Sequence, residues 1–241
     1  MIEATYIDHM GSDLSVVNAA RVSFGKKSDW EWSDEEGATN YTFGQEDGKI
    51  YLKLSDRDIN LIKYLAKHNH ISPFGHCFAS FHVKAPIFVA RQLVKHKFLR
   101  WNEVSRRYIS DEPEFYMPQI WRGRSEDKKQ GSDPSIDVKL NSESFNTDSI
   151  PDVVQSKYTS DLVLYKALIE SKTCPEQARM ILPQSTMTEW IWSGSLDAWA
   201  SMCHLRCKPD TQEETRLVAD QISTEMSKLF TISWNALMEN G

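Results

Sequence analysis

The stretch Arg91-Gln92-Leu93-Val94-Lys95-His96-Lys97-Phe98-Leu99-Arg100-Trp101-Asn102-Glu103-Val104-Ser105-Arg106-Arg107-Tyr108 holds six Arg or Lys residues against one acid, in a chain whose formal net charge is −6. Ile87, Ala90, Val94 and Phe98 recur at three- and four-residue spacing, the seam of an amphipathic helix that opens at Pro86 and ends near Phe98. On that helix Gln92 and Lys95 project together, with His96 beside them. Asn102 to Tyr108 then reads as a polar turn. Ser105 offers a hydroxyl, Arg106 and Arg107 offer charge, and successive backbone N–H groups can form an anion nest. Such a stretch suits a phosphate monoester. A solvated charged face is the plain alternative, but Asn102, Glu103, Ser105 and Tyr108 sit at spacings that neither an amphipathic helix nor a strand explains.

Working outward, residues 77–83 are β-rich, with Cys77, Ala79, Phe81 and Val83 on one face. Residues 2–7 read as a strand and 12–22 as a helix. Ser55 and Asp58 form a capping box for a helix with Ile59, Ile62 and Ala66 on one side. It stops near His70, where His68 and His70 suit the helix dipole. Gly25 to Gly48 is a polar, glycine-punctuated excursion, too aromatic for a linker, and reads as a flap or insertion over about 25–50. Residues 121–150 lack periodicity and read as a variable loop. The last third reads as helical. Tyr158, Leu162, Tyr165 and Ile169 make one seam, Thr173 to Glu176 cap a short helix, Ser195 caps a helix to Arg206, and Thr211 to Glu214 cap the final one. Trp190, Trp192 and Trp199 read as core. No domain boundary stands out, so residues 1–241 form a single α+β domain, an antiparallel sheet flanked by helices.

Composition narrows the function. The 241 residues are 40% apolar, 26% charged and 11% aromatic, enough for a real core and too aromatic for disorder. Net negative charge disfavours bulk binding to DNA or lipid, both polyanions. No apolar run reaches the ~18 residues of a membrane span, and Met1 to Tyr6 lack a signal region. Cys77, Cys174, Cys203 and Cys207 do not make a disulfide framework. A cytoplasmic setting, or a host's cytoplasm if the source is viral, is expected. Cys203, His204 and Cys207 lack the further ligands of a metal site.

The stretch also resembles the signature of the flavin-dependent thymidylate synthases, Arg-His-Arg, seven residues, then Ser. Here it reads Lys95-His96-Lys97, residues 98–104, then Ser105. His82 to Gln92, Ser72 to His76, Ala20 to Phe24, Ala178 to Pro183, Ser193 to Leu196 and Leu205-Arg206 match further blocks, in the family's order. The resemblance implies conversion of dUMP to dTMP, with methylenetetrahydrofolate as carbon donor and NADPH as reductant through FAD. It places Gln92, Ser105, Arg106 and Arg107 on dUMP, with Arg179 reaching in from a neighbouring subunit of a homotetramer. Arg206 falls at the uracil ring and, with His76 near the flavin face, forms the catalytic set. Ser23, Lys95, His96, Lys97, Glu103, Ser195 and Ser201 fall at FAD positions. The chain departs from the family at Lys95 and Lys97, which replace planar guanidinium forks with point charges. It departs again at Arg106, where glycine is common, and at Ser195, Asp197 and Ser201, where some members carry longer side chains. Two rivals are a cysteine-dependent thymidylate synthase, with Cys174 its nearest candidate, and a nucleotide- or RNA-binding module built on residues 91–107. The first needs an activated thiol; the second fits poorly with the net charge.

Overall fold

The structure is a computed structural model and describes residues 1–33, 41–43, 50–109, 111–125, 132–140, 144–145 and 149–240. In chain order the elements are β1 (Glu3–Met10), α1 (Asp13–Arg21), β2 (Glu31–Ser33), β3 (Tyr41–Phe43), β4 (Ile50–Lys53), α2 (Asp56–Lys67), β5 (Phe78–Pro86), α3 (Ile87–Leu93), β6 (Leu99–Glu103), β7 (Gly123–Arg124), β8 (Ser132–Asp133), α4 (Ile150–Glu170), α5 (Pro175–Ala178), β9 (Met187–Ser195), α6 (Leu196–Arg206), α7 (Glu213–Leu229) and α8 (Thr231–Glu239). The main sheet is antiparallel in the order β1-β5-β9-β6. The architecture is α+β, an antiparallel sheet flanked by helices, as the sequence predicts.

Alternation along β5 decides which face is covered. Ala79, Phe81, Val83 and Ala85 are buried, while Ser80, His82 and Lys84 are half-exposed on the other side. The buried face meets Trp190 and Trp192 of β9 and the helices α6, α7 and α8. Trp199 of α6 sits edge-on to Phe81 and Trp192, with ring centroids 5.2 and 4.9 Å apart. Its indole N–H donates to the Ala79 carbonyl at 3.2 Å. All three tryptophans are core, as read from the sequence. Each buried aromatic contributes roughly 1.5–3 kcal/mol by area alone, so this cluster carries much of the fold. On the polar face, His82 pairs with Glu189 at 3.0 Å.

Several expectations change. The helix begun at Pro86 ends at Leu93 rather than Phe98, because Val94 to Phe98 turn sharply and Phe98 adopts a left-handed φ of 64°. Leu99–Glu103, whose last two residues the sequence reads as the opening of a polar turn, is the edge strand β6. The last third is not wholly helical: Met187–Ser195 is the strand β9, paired on both edges, with Trp190 and Trp192 buried. Ile191 stands between those tryptophans on the open face, 42% exposed. An apolar residue there erases the alternation that marks a half-covered strand. Gly194 permits the close approach of β6, since a Cβ there would meet the Leu99 side chain and lie 3.0 Å from the Phe98 carbonyl. The final helix breaks at Phe230 into α7 and α8. Helix α7 starts after Gln212 rather than Thr211.

The α1 and α2 helices follow their caps. Ser12 and Ser15 form a capping box, and Ser55 accepts from the Asp58 N–H at 3.2 Å. Asp58 does not return a bond to the Ser55 backbone. Its carboxylate instead accepts from Ser55 Oγ at 2.9 Å, Ser28 Oγ at 3.0 Å and Arg21 Nε at 2.9 Å. The 25–50 excursion carries the small sheet β2-β4-β3, and 121–150 carries the short β7-β8 ladder. Much of both excursions, including residues 34–40, 44–49 and 126–131, lies outside the described residues.

Candidate active site

Helix α6 is buried along one broad side, where Leu196, Ala198, Trp199, Ala200, Met202 and Cys203 are covered, while Ser201 and Leu205 are exposed. It leaves β9 directly and delivers Arg206 in its last turn, where a cation suits the helix dipole. The turn after α3 comes up to meet it. Arg206 Nε donates to His96 Nε2 at 3.0 Å, and Arg206 Nη2 to the Gln92 carbonyl at 3.4 Å. An imidazole nitrogen that accepts from a guanidinium must carry no proton. Burial, and then the Arg206 charge, push the His96 pKa down to about 4. His96 is therefore neutral at physiological pH. Arg206 is a fixed cation whose other N–H groups are unspent among the described residues.

Arg206 and His96 form one wall of a cavity of about 620 Å³, lined also by Lys95, Lys97, Phe98, Asp197, Ser201 and His204. Asp197 Oδ1 is buried there with no hydrogen-bond partner among the described residues. A second cavity, of about 1110 Å³, holds Ser23, Phe24, Lys26, Arg57, Tyr64 and His70. The two share Asn69 and Ile71 as walls.

The other end of β6 is also basic but differently built. Ser105 Oγ accepts from Arg107 Nε at 3.1 Å, and the Arg107 guanidinium lies 3.7 Å from Glu176 and 5.0 Å over the Tyr108 ring. Arg106 donates to the Asp111 carbonyl at 2.6 Å. The Glu176 contact sets α5 beside this turn, and exposed Arg179 follows α5 directly.

The structure thus gathers Lys95, His96, Lys97, Ser201 and Arg206 at one cavity and Ser105, Arg106 and Arg107 at one turn. Ser23 opens on the neighbouring cavity. Ser195 is buried and directly precedes α6, with no capping bond from its side chain. Glu103 is held away from the cavity, accepting from Trp101 Nε1 at 3.1 Å and Thr188 Oγ1 at 2.8 Å. His76 ends the turn Ser72–His76, exposed, and lines neither cavity. Gln92 and Lys95 do not project together: the helix stops between them, and the Gln92 carboxamide bonds Gln212 and Thr215. Sequence reasoning missed Asn69 and His204 at the cavity wall, both hidden in segments read only for helix ends and thiols.

Residues 5–230 match the family model described as thymidylate synthase complementing protein. Over 217 residues the chain is 33% identical to the flavin-dependent thymidylate synthase of Thermosipho africanus, covering 90% of this chain and 82% of that one. The chain belongs to the flavin-dependent thymidylate synthase family. A flavin-dependent thymidylate synthase from Thermus thermophilus is 34% identical over 234 residues, 97% of this chain and 74% of that one. Among solved structures, the fold matches a UMP/dUMP methylase, PolB from Streptomyces cacaoi bound with 5-Br dUMP. The TM-score is 0.77 and the identity 26%, covering 100% of this chain and 96% of that chain. Family membership accounts for the order of the motif blocks, and the module built on residues 91–107 for nucleic acid finds no support. Among the described residues no helix is long and apolar enough to cross a membrane.

Proposed function

We propose that this chain converts dUMP to dTMP, with methylenetetrahydrofolate as carbon donor and NADPH-reduced FAD as hydride carrier. The observation that carries the reading is Arg206, a cation held by a neutral imidazole at a cavity wall. Methylation at C5 of uracil needs electron density pushed onto that carbon, and a fixed guanidinium at the pyrimidine carbonyls stabilises the enolate-like charge. Because His96 carries no charge, the positive field at that wall comes from Arg206, Lys95 and Lys97.

The residues fit a flavin dinucleotide. Two cavities share Asn69 and Ile71 as walls. Lys95, Lys97 and Arg57 supply charge for a diphosphate, and the buried, unpartnered Asp197 Oδ1 offers an acceptor to a ring or ribityl donor. Lys95, His96, Lys97 and Ser201 would hold the group at the first cavity and Ser23 at the second, with His76, Glu103 and Ser195 as further family-matched positions. Bound flavin would supply methylene and hydride transfer.

The thiols support this reading over cysteine chemistry. Burial pushes Cys77 up to about 12 and Cys203 well above its ordinary value, so neither offers a thiolate near neutral pH. Neither Cys174 nor Cys207 lines the Arg206 cavity.

Ser105, Arg106 and Arg107, with Gln92 and Arg179, take the dUMP phosphate. Yet Gln92 and His96, which meet Arg206, precede β6 while Ser105 follows it, and the strand between them spans roughly 14 Å of extended chain. That separation supports a homotetramer whose sites are completed by neighbouring subunits. The test is direct. Purified protein should be yellow, release FAD on denaturation and form dTMP from dUMP only with methylenetetrahydrofolate and NADPH present; colourless protein that forms dTMP overturns the reading.

A further inference from the structure

Gln92 is not a free side chain. Its Oε1 accepts from Thr215 Oγ1 at 3.2 Å, and its Nε2 donates to Gln212 Oε1. Gln212 Nε2 donates in turn to Glu214 Oε2 at 3.2 Å. Glu214, buried at the start of α7, receives Arg122 Nη2 on its other oxygen at 2.6 Å. Arg122 is anchored further by Glu213 at 3.0 Å and by Ser132 Oγ at 2.8 Å. The chain of bonds therefore runs from the 121–150 excursion, through the N-terminus of α7, to the last turn of α3.

Its polarity is dictated from the charged end. A carboxylate paired with arginine only accepts, so Gln212 must turn its NH₂ toward Glu214 and its oxygen toward Gln92. Gln92 must then turn its own NH₂ toward Gln212, and Thr215 holds its oxygen. A carboxamide nitrogen has two hydrogens; one is used here and the other is unspent among the described residues. The same residue's carbonyl receives Arg206 Nη2, so movement of this turn disturbs both groups.

We propose that Arg122, Glu214 and Gln212 are positioning residues for the nucleotide, acting through Gln92 by fixing which way its carboxamide faces. This rests on the reading of Gln92 as a dUMP phosphate contact. Without the relay, Gln92 can flip and present its oxygen to phosphate, a repulsive contact.

The experiment measures the dUMP dissociation constant by calorimetry on FAD-loaded protein, with kcat at saturating dUMP alongside. Glu214→Gln strips a buried arginine of its partner and endangers the fold, so Gln212→Met, which keeps the ion pair and the side-chain length, carries the test. Gln212→Met should weaken dUMP roughly three- to tenfold, the worth of one oriented hydrogen bond, with kcat changed less than about twofold. Introduced beside Gln92→Ala it should add nothing, because its only route to the nucleotide is gone. Equal weakening in both backgrounds, or none in the first, overturns the relay. If Gln92→Ala alone leaves dUMP binding unchanged, the reading of Gln92 as a phosphate contact falls and the relay with it; if Gln92→Ala weakens binding while Gln212→Met does not, only the relay falls.

Discussion

The two ends of β6 are both basic, yet the chain treats their charges in opposite ways. At the N-terminal end, Arg206 is half-buried and bonded to a neutral imidazole and a carbonyl. At the C-terminal end, Arg107 is exposed, bonds a neighbouring hydroxyl, faces Glu176 and lies over Tyr108. A cation held by neutral partners in a low-dielectric wall exerts its field where charge develops. A cation on an exposed, solvated turn collects an anion and positions it. The difference teaches which end should govern turnover and which should govern capture.

The largest expected effect isolates the cavity end. Stripping FAD should abolish dTMP formation, and adding it back should restore the rate; formation that survives in flavin-free protein would break the division of labour. Next comes the joint between the two ends. Gly194→Ala forces a Cβ against Leu99 and the Phe98 carbonyl, an overpacking cost of about 1–3 kcal/mol. For a chain of this size the thermal midpoint should fall by roughly 2–12 °C, with flavin retention lost before dUMP binding. Differential scanning calorimetry and released FAD read the two.

A pH effect is smaller and has a definite sign. The unfolded chain protonates His96 below about pH 6.5, whereas the folded chain resists until about 4. His96 thus leaves stability intact above about 6.5 and lowers it as pH falls toward 4. His96→Gln keeps an acceptor for Arg206 and should flatten that slope in thermal melts across the same range. Asp58 acts lower. Burial pushes its pKa up, but bonds from Arg21, Ser55 and Ser28 hold it below the usual carboxylate value of 3.8. Its contribution is therefore present above that value and lost only as pH falls below it. The smallest effect is Lys95→Arg, which restores a planar fork: FAD affinity should hold or tighten within a few-fold, by equilibrium dialysis.

The readable parts of the sequence are those with local causes. Ser55 and Pro86 fix their helix starts because caps and proline act within one turn. The alternation of Ala79, Phe81 and Val83 with polar neighbours marks β5 because only one of its faces is covered. By contrast, β9 carries Ile191 on its open face between two buried tryptophans, and β6 exists only through pairing with β9. Neither leaves a clear period in its own residues. Resemblance names the segments of the candidate site. The Arg206–His96 bond, between residues 110 apart in sequence, is not legible in them. Nor is the burial of Glu214, which reads locally as one more acid in a helix's first turn.

The most direct measurement is the steady-state kinetics of Arg206→Ala beside Arg107→Ala, with FAD occupancy matched first. Losing a charge-assisted bond costs on the order of 1.5–3 kcal/mol, roughly ten- to hundredfold in the parameter it governs. Arg206→Ala should lower kcat by that factor even at saturating dUMP, and Arg107→Ala should raise the dUMP KM by a similar factor with kcat nearly kept. If instead Arg107→Ala lowers kcat while Arg206→Ala changes only KM, the roles assigned to the two ends of β6 are reversed.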